Sequence, residues 1–94
     1  MKEITIFDLL KLTNPNIIDI RGYLKYQAGH IPHSIVMDYS TLYYHPEQVL
    51  KKQETYYFYC DSGIRSKALV QHLIPLGYHA IHVIGGYNNC LLSK

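Results

Sequence analysis

The chain has 94 residues, of which 48% are apolar and 17% charged, and nine basic against seven acidic side chains give a formal charge of +2. That length fits one small domain over residues 1–94 with no room for a second, and the charge balance matches neither a disordered chain nor the basic face of a nucleic-acid binder. Two cysteines, Cys60 and Cys90, allow at most one bridge, which excludes a disulfide-stapled secreted scaffold and points to a reducing compartment.

In chain order, Glu3 to Ile6 reads as a weak strand, and Phe7 to Leu12 as a short helix stopped by Asn14-Pro15. Acids at Glu3 and Asp8 interrupt what would be the apolar stretch of a signal peptide. No apolar run approaches the ~20 residues of a membrane span. A cytoplasmic protein with no membrane partner is the expectation. Asn16 to Ile20 is a strand, Tyr23 to Ala28 a helix ended by Gly29, and Ser34 to Asp38 a third strand. After the polar loop Lys51 to Glu54 comes the most apolar strand, Tyr56 to Cys60. The strongest helix runs from Arg65, with Leu69, Leu73 and Leu76 on one stripe and Val70 and Ile74 beside it. Pro75 should clip its last turn and Gly77 should turn the chain into a final strand, Ala80 to Ile84. The strand runs barely alternate, which suits strands covered on both faces in a parallel sheet. Strand, helix, strand, helix makes the fold class α/β.

In open α/β sheets, ligands sit outside the carboxyl ends of the strands. Cys60 ends the most apolar strand, and Asp61-Ser62-Gly63-Ile64 leads into Arg65-Ser66 at the start of the best helix. Gly63 lets successive amides curl toward one spot, where the helix start adds unpaired N–H groups and positive dipole. A thiolate is stabilised in such a cradle, and Arg65 adds a fixed positive charge. On position alone Cys60 is equally a buried strand-end residue. The combination of strand end, cysteine, glycine, arginine and helix start favours the reactive reading.

Cys60-Asp61-Ser62-Gly63-Ile64-Arg65-Ser66 resembles the active-site loop of the rhodanese-like family. Asp19-Ile20-Arg21 followed by Gly29-His30-Ile31-Pro32 resembles the family's upstream pattern, and Gly85-Gly86 its downstream one. The resemblance runs over nearly the whole chain. It implies a sheet of about five mainly parallel strands flanked by helices on both faces, and a persulfide-forming catalytic cysteine at Cys60. Asp61, Ser62, Gly63, Ile64, Arg65 and Ser66 would then form the substrate-binding loop. Four residues separate Cys60 from Arg65, one fewer than in phosphatases built on related cradles, so sulfane sulfur fits better than phosphate.

The expected chemistry is nucleophilic: Cys60 takes sulfur from thiosulfate or a persulfide, and a thiol, cyanide or a protein acceptor then removes it. Arg65 would attract the donor's negative charge. Asp61, a carboxylate beside the nucleophile, would oppose both thiolate and anion. A module of the same fold that carries sulfur or docks proteins without turnover is the alternative. No cofactor is implied. His30/His33 and His79/His82 invite a metal reading, but on a strand an offset of three puts two residues on opposite faces, and no ligand quartet is present. Tyr56, Tyr57 and Tyr59 are expected to pack against helices with their hydroxyls at the sheet edge or in water; no basic residues accompany them to form a nucleic-acid platform. Cys90 stands where the family usually has tryptophan; it is read as a packing residue, with a resolving thiol as the other reading if its Cα lies within ~7 Å of that of Cys60. Lys25, where the family often has an acid, and His33, where it commonly has glycine, depart from the pattern.

Overall fold

The computed structural model describes residues 2–88. Five parallel strands, β1 (Glu3–Ile4), β2 (Asn16–Asp19), β3 (Ile35–Val36), β4 (Thr55–Tyr59) and β5 (His79–Val83), form one sheet in the order β1-β5-β4-β2-β3. The helices are α1 (Ile6–Leu9), α2 (Tyr23–Ala28), α3 (Tyr39–Tyr44) and α4 (Ile64–Leu73), with short 3₁₀ turns at Pro46–Gln48 and Ile74–Leu76. The order places β4 at the centre, between β2 and β5. The carboxyl end of β4 is therefore where crossovers diverge to either side, the place at which open α/β sheets present ligands.

Side chains on a strand point alternately to opposite faces, and here each face has its own core. Ile18, Tyr56, Phe58, Cys60 and Ala80 pack with Leu42 of α3 and Leu69, Val70 and Leu73 of α4. Ile17, Tyr59 and Val83 pack on the other face with Ile6 and Leu9 of α1 and with Ile31. Cover on both faces is the physical reason the strand runs do not alternate. No helix among the described residues is long and apolar enough to cross a membrane.

Several boundaries differ from the sequence expectation. The first helix starts at Ile6, capped by the Thr5 hydroxyl, which accepts from the Asp8 amide at 3.2 Å, and it ends at Leu9. The third strand shrinks to Ile35–Val36, because Ser34 is drawn to the Tyr59 hydroxyl at 3.1 Å and Asp38 becomes the cap of α3. That helix was not expected: its Tyr-Ser-Thr-Leu-Tyr-Tyr run has weak helix propensity, and the Asp38 carboxylate, accepting from the Thr41 amide at 3.1 Å, starts it. In α4, Leu69, Val70 and Leu73 are fully buried, whereas Leu76 is 45% exposed, because the chain has tightened into the 3₁₀ turn at Pro75.

Candidate active site

The helix that follows β4 begins without a side-chain cap. Gly63 holds the N-cap position of α4 in the left-handed region, φ 97°, and offers no acceptor of its own. The acceptor comes from Cys60: its Sγ takes the Gly63 amide at 3.1 Å and the Ser66 amide at 3.4 Å. Ser66 is the third residue of the first turn, whose N–H a capping oxygen ordinarily receives. The sulfur thus replaces the cap and lies on the positive end of α4, a position that favours an anion.

Two further groups complete this environment. The Ser66 hydroxyl lies 3.5 Å from Sγ, and it is also 3.3 Å from the Gly63 carbonyl and 3.0 Å from Nδ1 of His82. Cys60, Ser66 and His82 are all buried. Burial holds the His82 imidazole below its ordinary pKa; Glu3 opposes this and Lys67 reinforces it. In the sequence alone His82 stands out only as half of a three-spaced histidine pair. The register Phe58↔His82 with α4 packed above sets it beside the loop, and His79 on the other face of β5 is exposed. Among the described residues, no group of three His, Cys, Asp or Glu side chains could share a metal ion. Cys90 lies outside the described residues.

A second network braces the loop from the other side of the sheet. Asp19 is fully buried, and its carboxylate receives Nε and Nη2 of Arg21, the latter at 2.7 Å, together with the Tyr59 hydroxyl at 2.6 Å. Burial alone would lower the Arg21 pKa, but the hydrogen bond and charge of Asp19, with Tyr59 and Asp61, raise it overall. Arg21 also donates to the Gly29 carbonyl at 2.6 Å and stacks 4.1 Å from the Tyr87 ring. The Tyr59 hydroxyl meets Ser34 and the Ile31 amide as well, so it does not reach the sheet edge or water as expected. Burial, then the Asp19 bond, raises its pKa. The signal for this network was a charged pair, Asp19 and Arg21, at the end of an otherwise apolar strand.

The Gly85-Gly86 turn closes the loop from behind. Tyr87 N donates to the Cys60 carbonyl at 2.8 Å and Asn88 N to the Asp61 carbonyl at 2.9 Å. A Cβ at Gly86, φ 64°, would lie 2.3 Å from the Cys60 carbonyl oxygen. No other residue type fits there without moving the loop.

Of the loop residues expected to bind substrate, Gly63 and Ser66 reach the sulfur. Ser62, Ile64 and Arg65 are exposed on the rim, and the Arg65 guanidinium lies 4.5 Å from the centre of the Tyr39 ring. Asp61 is not the isolated opposing charge that sequence suggested. Its carboxylate is paired with Lys25 and lies 3.7 Å from Arg21. Lys25 thus offsets the carboxylate that follows Cys60 in the chain.

The family model for the rhodanese-like domain matches residues 7–91 of this chain. The chain belongs to the rhodanese-like domain family. Among its relatives, a thiosulfate sulfurtransferase (GlpE) of Coxiella burnetii is 26% identical over 88 residues, covering 93% of this chain and 81% of that protein. A rhodanese-like domain protein from Staphylococcus aureus superimposes with a TM-score of 0.77 at 31% identity, over 94% of this chain and 89% of that one. The human single-domain sulfurtransferase TSTD1 shares the fold with a TM-score of 0.84 at 22% identity, covering 100% of this chain and 98% of its own. The five-stranded parallel sheet with its helices is the architecture of these rhodanese-like neighbours.

Proposed function

We propose that this rhodanese-like protein is a sulfurtransferase that carries sulfane sulfur as a persulfide on Cys60, working in a reducing, cytoplasmic setting. The observation that carries this reading is the capping of α4 by the Cys60 sulfur, which receives the Gly63 and Ser66 amides and has the Ser66 hydroxyl 3.5 Å away. The Cys60 thiolate attacks the outer sulfur of thiosulfate, the sulfur–sulfur bond of the donor breaks, and sulfite leaves with the electron pair. A persulfide donor reacts in the same way and releases its thiolate. The terminal sulfur of the Cys60 persulfide is then attacked by a thiol or cyanide, and the Cys60 thiolate is the leaving group. The amides stabilise the anion at both stages without reorganising, which is the source of the rate enhancement. Arg65 on the rim draws in the anionic donor, and Lys25 cancels the repulsion that Asp61 would exert on it.

Carriage of the sulfur to a protein acceptor is the other reading, for Ile64, at the first position of α4 beside the loop, leaves 76% of its apolar surface open. Steady-state assays with thiosulfate and either cyanide or a small thiol separate the two readings. Turnover that disappears in Cys60→Ser supports the enzyme; a Cys60 persulfide that is stable to both small acceptors and discharged by a protein thiol supports the carrier.

A further inference from the structure

His82 has a place in this site that the sulfur-transfer steps above do not use. Its Nδ1 is 3.0 Å from the Ser66 hydroxyl, and that hydroxyl is 3.5 Å from Cys60 Sγ. The ring is 4% exposed and packs under the loop, since a Cβ at Gly63 would lie 3.4 Å from its Cε1. A serine hydroxyl has one proton, and three acceptors surround it: Sγ, Nδ1 and the Gly63 carbonyl at 3.3 Å. When the sulfur is an anion, the proton is worth most on the sulfur, because hydrogen bonds to charged groups are the stronger ones. The Ser66 oxygen must then accept from Nδ1, which requires the proton of a neutral imidazole to sit there.

We propose that His82, neutral and in the Nδ1–H tautomer, is a positioning residue that donates to Ser66 and so aims the Ser66 hydroxyl at the Cys60 sulfur. This rests on the reading of Cys60 as the nucleophile. No proton is transferred between residues in the arrangement. When the thiol is protonated, S–H donates to the Ser66 oxygen and the hydroxyl turns to the Gly63 carbonyl, with Nδ1–H still donating to Ser66. The surrounding charges suit a neutral ring: Glu3, its register partner on β1, and Lys67 on α4 are of opposite sign. Asp61 is taken up by Lys25 and Arg21, and Arg65 lies over Tyr39. Buried between these groups, the imidazole resists protonation and keeps one fixed donor available.

The test is the pH profile of iodoacetamide alkylation at Cys60 in the full chain. In His82→Leu and in Ser66→Ala, the half-maximal rate is expected to move up by about 1 pH unit, roughly tenfold less reaction on the acid limb of the profile. The double variant should shift no further than either single one, because both remove the same hydrogen bond. His82→Asn, whose amide N–H₂ reaches the place of Nδ1, should restore most of the parent profile. An unmoved profile in His82→Leu, or shifts that add in the double variant, would overturn the proposal. Should His82→Leu fail to fold, nitrogen NMR of the parent above the titration of Cys60 decides: protonated Nδ1 supports the arrangement and protonated Nε2 contradicts it. A parent that forms the persulfide but shows no His82 effect removes this proposal alone. A parent whose Cys60 neither alkylates nor takes up sulfur removes the nucleophile reading and the proposal with it.

Discussion

Replacing Gly86 by alanine should damage the site without touching any residue that faces the sulfur. The new Cβ would sit 2.3 Å from the Cys60 carbonyl oxygen and 2.7 Å from that of Asp61. Ordinary contact needs about 3.5 Å, so the loop must retreat by about 1 Å. Holding a side-chain residue at φ 64° costs about 1–2 kcal/mol. Retreat of the loop also breaks the bonds from Tyr87 N to Cys60 O and from Asn88 N to Asp61 O, about 0.5–1.5 kcal/mol each. The sum, about 2–5 kcal/mol, corresponds to a fall in Tm of roughly 10–30 °C for a chain of this size. Thermal unfolding followed by circular dichroism measures it, and alkylation of Cys60 near neutral pH should slow several-fold because the amides no longer converge. Gly22→Ala is the control. Gly22 has φ 100° but nothing within 4 Å of an added Cβ, so stability should fall through backbone strain alone while alkylation keeps its parent rate. Gly86→Ala protein that alkylates like the parent would refute the claim that this turn holds the loop.

Tyr59→Phe removes the hydroxyl that donates to the buried Asp19 carboxylate at 2.6 Å and receives the Ile31 amide; a loss of about 2–3 kcal/mol is expected, and denaturant unfolding that shows under 1 kcal/mol would contradict the network. Lys25→Glu sets an acid against Asp61 in place of its partner, so KM for thiosulfate should rise several-fold, more at low salt than at high, while a neutral persulfide donor is little affected. Stability should also depend on pH through His82, whose folded pKa lies below its ordinary 6.5 because it is buried. As pH falls below that ordinary value, the unfolded imidazole takes up a proton that the folded one refuses. Its contribution is therefore complete above about pH 7 and is lost as pH falls toward the folded value. Tm measured from about pH 7.5 down to about pH 5.5 should show this decline, and His82→Asn should flatten it.

The sheet and the loop from Cys60 to Ser66 were legible because both rest on local signals. Doubly covered strands show as unbroken apolar runs such as Tyr56 to Cys60, and the Cys60-to-Ser66 segment carries its glycine and its helix start within seven residues. The helix Tyr39–Tyr44 was hidden because its start depends on one cap, Asp38, ahead of residues with little helix preference. The supporting groups were hidden for a different reason: they come from distant parts of the chain. His82 reaches Ser66 only through the pairing of β4 with β5, and Lys25 reaches Asp61 across 36 residues. Asp19, Arg21, Gly29 and Gly86 were visible as separate fragments of pattern. What they do together, with Arg21 joining Asp19 to the Gly29 carbonyl and Gly86 leaving room for the Cys60 carbonyl, is a matter of tertiary contact.

In the proposed reaction Cys60 carries the transferred sulfur. Intact-protein mass spectrometry after incubation with thiosulfate, and separately with a low-molecular-weight persulfide, tests it most directly. The expected result is a gain of one sulfur atom that maps to Cys60, is absent in Cys60→Ala, and is discharged by cyanide or a thiol. No gain with either donor, or a gain that survives Cys60→Ala, would contradict it.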